Sequence, residues 1–346
     1  MTERFLGGGG LEGAEVLVTG ATGFIGGRLA ARLAAGEGAS VTGSGRRLEA
    51  ARHLEAEGVR LAGADLLDGG RMRELVRGKE VVFHVAGWVG GDPAMAGPVN
   101  VDAVRDLARA AAGAGARRLV LVSSVSAYGD PEARLVDEEE PLATASENPY
   151  ARTKALGELA AREVAGQTGL EVAIVRPASV FGPGSGLWTE ALVDFLRAGV
   201  PVLVGDGGSA LSPVYVDDLV DALLLCAVSE AAAGRAYNVS EPAVPWREFV
   251  APHAQACGVE ARSLPAAAAA RIAGGGSEEV PDPPSDDPRY RVLLAVELAG
   301  LDGTGFSADR IREELGWAPR AGLEGGLRRT LAWLRAEGRL GRGGSP

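Results

Sequence analysis

Short apolar runs recur along the chain, most of them followed by a stretch with helical spacing. The segments "EVLVTG" from Glu15, "SVTGSG" from Ser40, "VRLAGADL" from Val59, "EVVFHVAG" from Glu80, "RLVLVSS" from Arg118 and "EVAIVRP" from Glu171 are rich in β-branched and aliphatic residues and read as strands. Between them, Ile25, Leu29 and Leu33 fall at i, i+4 and i+8, and Val101 to Ala112 and Ala151 to Val164 repeat with a helical period. Strands that are continuously apolar need both faces covered. The pattern therefore predicts a doubly wound α/β architecture, a parallel sheet with helices on either side.

Composition narrows the function without naming it. The 346 residues carry a net charge of −11, which argues against nonspecific nucleic-acid binding, since phosphates call for a basic surface. Cys226 and Cys257 stand apart without CxxC spacing, and the only histidines are His53, His84 and His253, so neither a zinc site nor a disulfide framework is expected. The N-terminal "MTERFLGGGGLEGAE" has no apolar signal region, and stretches such as "LVDALLLCAV" are about half of what spans a bilayer. The expectation is a cytoplasmic protein with no membrane or metal partner.

The first strand runs into "TGATGFIGG". Gly20, Gly23 and Gly26 have the spacing in which the chain turns tightly, lets its backbone approach a pyrophosphate, and packs the next helix on the sheet. The helix N-terminus supplies free N–H groups and a positive dipole end to the phosphates. Position between first strand and first helix makes this a Rossmann-type dinucleotide fingerprint. The second strand ends in Arg46 and Arg47 with no acid, which favours NADP(H) over NAD(H), although two arginines opening a helix are also ordinary solvated charges. Asp65, closing the third strand, can accept from an adenine amino group or simply form a turn.

Only two of the 35 basic residues are lysines, Lys79 and Lys154, and Lys154 follows Tyr150 by four positions in "NPYARTK". On a helix the two share a face. A phenol is a poor base near neutrality unless a neighbouring cation lowers its pKa, and a lysine ammonium is compact enough to do so while reaching a ribose. The alternative is a solvated helix face.

Taken together, "VLVTGATGFIGG", "GADL", "FHVAG", "PVNVDA", "VLVSSVSAYG", "NPYARTK", "VRPASVFGPG", "PVYVDDLVDAL", "YNVS" and "SADRIREELGWAP" cover about nine tenths of the chain. In this order the chain resembles an extended short-chain dehydrogenase/reductase of the NAD(P)-dependent epimerase/dehydratase superfamily. The resemblance implies Tyr150 as general acid/base, Lys154 as its pKa-lowering and ribose-binding partner, and Ser124 as a hydrogen-bond donor to the substrate oxygen, unless Ser124 merely caps a turn. It implies cofactor contacts from Gly20, Thr22, Gly23, Phe24, Ile25, Arg46, Arg47, Asp65, Leu66, Ala86, Gly87, Pro177 and Val180, of which the last two are equally suited to the core. Asn100 resembles a residue bracing the central strands, or is the N-cap of the helix from Val101; His84 is expected to be structural.

Departures from the sugar-nucleotide branches bear on the substrate. Ser179 stands where those enzymes resemble one another in an asparagine, and Leu211 and Ser212 where they carry an arginine, so a pyrophosphate would lack charge-assisted partners. Val125 and Ser126 replace the Asp-Glu pair of the dehydratases. What remains resembles the 3β-hydroxysteroid dehydrogenase and dihydroflavonol reductase side, acting on ketones or secondary alcohols of apolar, often cyclic molecules. Trp88, Ser126, Phe181, Leu187 and Trp188 are the expected pocket lining, and the aromatics among them suit a core as well.

The expected division is a dinucleotide-binding domain over 13–181 and 214–241, a smaller substrate lobe over 182–213 and 242–338, and a frayed tail over 339–346. Within the lobe, 275–295 reads as an acidic, proline-rich surface loop. A homodimer is what the resemblance implies. Three functions stay open: an NADP(H)-dependent ketone reductase or alcohol dehydrogenase, a sugar-nucleotide epimerase with tightly held NAD, and a redox-sensing module that binds without turnover.

Overall fold

The computed structural model describes residues 10–131, 134–274, 285–300 and 303–340. Strands β1 (Glu15–Thr19), β2 (Ser40–Gly45), β3 (Arg60–Gly63), β4 (Val81–His84) and β5 (Arg118–Val122) form most of the central sheet; β6 (Leu135–Val136) lies outside it. With β7 (Glu171–Pro177) and a last strand, Ala236–Val239, the sheet has seven strands, all parallel, in the order Ala236–Val239, β7, β5, β4, β1, β2, β3.

Alternation along the strands supplies the two core layers. Val16, Val18, Phe83, Val120, Val122 and Val175 face one layer, which contains Leu29 and Leu33. Leu17, Val82, Leu119, Leu121 and Ile174 face the other. The helices α1 (Phe24–Ala31), α2 (Gly69–Leu75), α3 (Ala103–Gly113) and α4 (Pro149–Thr168) are the crossovers that cover these faces, as parallel strands require. Two expected helices are modified locally. The segment Leu48–Glu57 is wound as a 3₁₀ helix, and a π-helical turn, Pro98–Asp102, precedes α3 and contains Asn100.

Outside the central sheet the chain forms strand pairs too short to read in a sequence, including Ser179–Phe181 with Pro213–Tyr215 and Leu203–Val204 with Ser263–Leu264. Helices α5 (Leu192–Arg197), α6 (Val216–Val228), α7 (Trp246–Cys257), α8 (Ala266–Gly274) and α9 (Pro288–Ala299) follow in order. The loop expected over 275–295 needs correction from Pro288 onward, because α9 is a helix that buries Tyr290, Leu293, Leu294 and Glu297; residues 275–284 lie outside the described residues. Its start is signalled by Asp287, whose carboxylate accepts from Arg289 N–H at 2.9 Å, and by Pro288 at the first helical position.

Asp218, in the "VDD" stretch, fastens the C-terminal part. Its buried carboxylate accepts from the N–H groups of Arg320, Ala321 and Gly322 at 2.8–3.0 Å, and its carbonyl accepts from Trp317 Nε1 at 2.9 Å. The chain stays docked as far as Leu340, which packs on Val193 and Leu334, while Arg339 pairs with Glu190 and Asp194. Residues 341–346 lie outside the described residues. Lys79 is buried against Glu15, its Nζ 2.6 Å from Oε2. No helix among the described residues is long and apolar enough to cross a membrane.

Candidate functional site

Strand order reverses on either side of β1, and there the first glycine turn meets the end of β4. Gly20 has φ +72°, and a Cβ on it would lie 2.8 Å from Ala86 N; a Cβ on Gly26 would lie 2.2 Å from Gly20 O. Only glycine fits both places. The turn closes with Gly23 N–H donating to Gly20 O at 2.9 Å, and α1 begins at Phe24. Thr19, which the sequence did not single out, ties this turn to β4. Its hydroxyl accepts from Val85 and Ala86 N–H at 3.2 and 3.3 Å and lies 2.8 Å from His84 Nδ1. With the hydroxyl accepting twice, its proton goes to Nδ1. Burial first, then the nearby Lys154 cation, holds the His84 pKa down to about 3, so the ring is neutral.

Thr22 sits over Gly45 at the end of β2, where any Cβ would strike its side chain. Beyond Gly45, Arg46 and Arg47 are exposed, and neither is held in an ion pair among the described residues. Asp65 is exposed and its carboxylate accepts from Leu67 N–H at 3.0 Å, so it forms the turn while facing solvent; Leu66 beside it is partly buried.

The chemical centre lies across β5 and α4. Ser124 caps the 3₁₀ turn Val125–Tyr128, its Oγ accepting from Ser126 N–H at 3.1 Å. The cap uses a lone pair and leaves the hydroxyl proton free to donate. Asn148 caps α4, accepting from Tyr150 N–H at 2.9 Å, with Pro149 at the first helical position, which places Tyr150 in the opening turn. Burial raises the pKa of the Tyr150 phenol above its ordinary value, opposed by the neighbouring Ser124 hydroxyl, so the expected lowering by Lys154 is not what sets it here. One turn on, Lys154 Nζ donates to Val122 O at 3.0 Å and sits 5.8 Å from the Tyr150 ring centroid. Burial lowers the Lys154 pKa to about 8, opposed by Glu158.

Gly87 passes directly over this group. A Cβ there would lie 3.3 Å from Lys154 Nζ and 3.1 Å from Asn100 Oδ1. Asn100 is a brace and not a helix cap: it accepts from Trp88 N–H at 2.8 Å, donates to Trp88 O at 2.9 Å, and donates to Thr153 Oγ1 on α4 at 3.1 Å. Gly157 makes the seating possible, since a Cβ on it would fall 2.2 Å from Asn100 O.

The expected lining divides. Trp88 and Ser126 are partly buried beside the site, and Trp88 Nε1 is buried with no partner among the described residues. Phe181 is corrected to a core residue: it is fully buried, edge-on to Phe249 at 5.3 Å and tilted on Tyr215 at 5.6 Å. Trp188 packs edge-on against Trp246 in the second lobe. Pro177 and Val180 are also buried, Pro177 paired with Val239 and Val180 in the main core. Among the described residues, no group of histidine, cysteine, aspartate or glutamate has the makings of a metal site.

The glycine cradle, the α1 N-terminus, the uncovered Arg46 and Arg47 and the Lys154 ammonium under Gly87 fit a dinucleotide laid from β2 across to β5. Comparison with known proteins agrees. A model of the "NAD dependent epimerase/dehydratase family" matches residues 16–240. A UDP-glucose 4-epimerase of Mycolicibacterium smegmatis is 33% identical over 93% of this chain and 98% of its own length. A 3beta-hydroxysteroid-dehydrogenase/decarboxylase of Arabidopsis thaliana is 29% identical over 80% of this chain and 52% of its own. The structure of a UDP-glucuronic acid 4-epimerase from Bacillus cereus in complex with NAD superposes with TM-score 0.74 over 93% of this chain and 96% of that one, at 18% identity. A match spanning more than half the chain, on a seven-stranded parallel sheet with the glycine turn at its reversal point, makes this protein an enzyme of the NAD-dependent epimerase/dehydratase family.

Proposed function

We propose that the protein is a cytoplasmic NADP(H)-dependent oxidoreductase that reduces a ketone, or oxidises a secondary alcohol, on a small apolar or cyclic molecule. What supports this reading is that Ser124 opens the turn just past β5 while Tyr150 and Lys154 lie one turn apart at the start of α4, with Lys154 Nζ 5.8 Å from the Tyr150 ring centroid and bonded to Val122 O on β5. A nicotinamide bound there supplies or takes the hydride. In reduction Tyr150 gives its proton to the substrate oxygen, Ser124 donates a hydrogen bond to the same oxygen, and the Lys154 cation stabilises the phenolate left behind. Oxidation runs the same transfers backward. The exposure of Arg46 and Arg47 just past β2 supports NADP(H), whose ribose 2′-phosphate they would pair with.

The second lobe supports an apolar substrate. Leu211 and Ser212 are buried, and Ser179 N–H is engaged with Ser212 O. The neighbouring strand edge is closed by the protein itself: Trp246 Nε1 donates to Val202 O, and Val204 N–H donates to Glu297 Oε1, both at 2.7 Å. A nucleotide diphosphate would find no cation among these groups. The second reading, a UDP-sugar epimerase retaining NAD, is favoured by the Mycolicibacterium smegmatis relative. A homodimer through α3 and α4 accompanies either reading, with Leu159 exposed on α4.

The test is loss of nicotinamide absorbance with NADPH or NADH against cyclic ketones, aldehydes and UDP-sugars, with Tyr150→Phe as control. Ketone-dependent oxidation of NADPH, lost in Tyr150→Phe and weakened about tenfold or more in kcat/KM for NADPH by Arg46→Ala with Arg47→Ala, is expected. Interconversion of a UDP-sugar without net oxidation would replace this reading with the epimerase.

A further inference from the structure

Behind the site lies a buried charged network that the hydride chemistry does not use. Arg176, near the end of β7, is 3% exposed, and Glu158 on α4 is fully buried. Arg176 Nε donates to both Glu158 oxygens at 2.9 and 3.2 Å, and Nη2 donates to Oε2 at 2.6 Å. Its remaining arm, Nη1, donates to Tyr128 OH at 2.7 Å, and the guanidinium lies 4.9 Å from the Tyr128 ring centroid. Tyr128 OH donates in turn to Asn238 Oδ1 at 2.7 Å, and Asn238 N–H donates to Glu138 Oε1 at 2.7 Å.

Within this network Arg176 joins the two elements that carry the proposed catalytic residues. Tyr128 closes the 3₁₀ turn that Ser124 opens, and Glu158 stands four residues after Lys154 on the helix that also carries Tyr150. We propose that Arg176 is a positioning residue whose guanidinium locks the Ser124 turn to the Tyr150–Lys154 helix, fixing the separation of hydroxyl and phenol. This rests on the roles proposed above for Ser124, Tyr150 and Lys154. Desolvating a guanidinium and a carboxylate offsets most of their attraction, so an apolar pair of similar volume would hold the fold as well. What an apolar pair lacks is a set of fixed lengths. A planar fork with one face of donors on the helix and a third donor on the turn supplies them. Glu158 has a further effect, because its charge opposes the loss of the Lys154 proton.

Tyr128→Phe cuts the turn from the clamp while keeping the ring, and Arg176→Lys keeps the charge without the fork. With the ketone and dinucleotide that give Tyr150-dependent turnover, kcat is expected to fall about tenfold in Tyr128→Phe and further in Arg176→Lys, with KM for the dinucleotide within about twofold of wild type. Hydrogen exchange should rise in both variants at residues 125–129 and 150–158 together. An unchanged kcat in Tyr128→Phe, or faster exchange in only one of the two segments, overturns the clamp. If wild type shows no Tyr150-dependent turnover, the catalytic roles fail, and the exchange experiment still decides whether Arg176 couples the two segments. Should Arg176→Lys not fold, Tyr128→Phe decides alone.

Discussion

Lys154 is kept charged in surroundings that disfavour a charge. Its pKa is lowered to about 8 by burial, so at neutral pH the folded state carries a cation that the unfolded chain would hold more easily. For a lowered lysine the cost is complete below about 8 and disappears as pH rises toward the unfolded value. Lys154→Met should therefore abolish turnover yet raise stability at pH 7 by about 1–2 kcal/mol, after allowing for the lost bond to Val122 O. Chemical denaturation at pH 7 measures it, and a loss of stability would mean that the ammonium is structural. The same residue shows why part of the site was legible. Tyr150, Lys154 and the glycines act through spacing along one element, which a sequence displays directly. Phe181 was misread because an aromatic near a pocket mouth and one beneath it look alike until neighbours such as Phe249 and Tyr215 are placed. Arg176 left one trace, a charge among the buried apolar residues near the end of the strand "EVAIVRP", but its partner Glu158 is 18 residues away and invisible to periodicity.

At the scale of elements, α4 reaches the site only because it lies unusually close to the turn carrying Asn100. Gly157 is the point of contact, with 2.2 Å between Asn100 O and the place a Cβ would take. Gly157→Ala improves helix propensity by up to about 1 kcal/mol, but it must push the helix from the turn, so a net loss of about 2 kcal/mol or more is expected. Activity should fall along with stability, because displacement of α4 moves Tyr150 and Lys154 relative to Gly87. A variant with wild-type melting temperature and kcat would show that the turn yields without consequence. The strand–helix alternation was readable because buried parallel strands advertise themselves as apolar runs. Helix α9 was hidden by "PDPPSDDPRY", whose prolines and aspartates read as loop although Asp287 and Pro288 are a helix start. The π-helical turn at Asn100 has no sequence signature of its own; tertiary contact selects it.

Over the whole molecule, buried ionisable groups pull stability in opposite directions with pH. His84 and His253, held down to about 3 and about 4 mainly by burial, contribute stability that is complete above the ordinary histidine value of 6.5 and is lost as pH falls below it. Glu297 and Asp221, raised by burial to about 7 and about 6, contribute stability at low pH that is lost as pH rises through those values. The opposing trends overlap in mildly acidic solution. Glu297→Gln retains an acceptor for Val204 N–H and removes one of them. Its stability relative to wild type should be near zero at pH 4.5 and should climb by about 1.4 kcal/mol per pH unit toward 7. A pH-independent difference would mean that burial does not raise the Glu297 pKa above its unfolded value.

The scarcity of lysine acquires a different meaning once both side chains are placed. Lys79 is shut away in its pair with Glu15, whereas Lys154, its pKa lowered to about 8 by burial, lies outside any ion pair among the described residues and beneath Gly87 beside the glycine turn. Among the side-chain amines, an acylating reagent is left with Lys154 alone outside an ion pair, at the place proposed here for the cofactor ribose. The enzyme is thus nearly blank to amine chemistry everywhere except at its own centre, and occupancy of the cradle and covalent modification of the chain become mutually exclusive states.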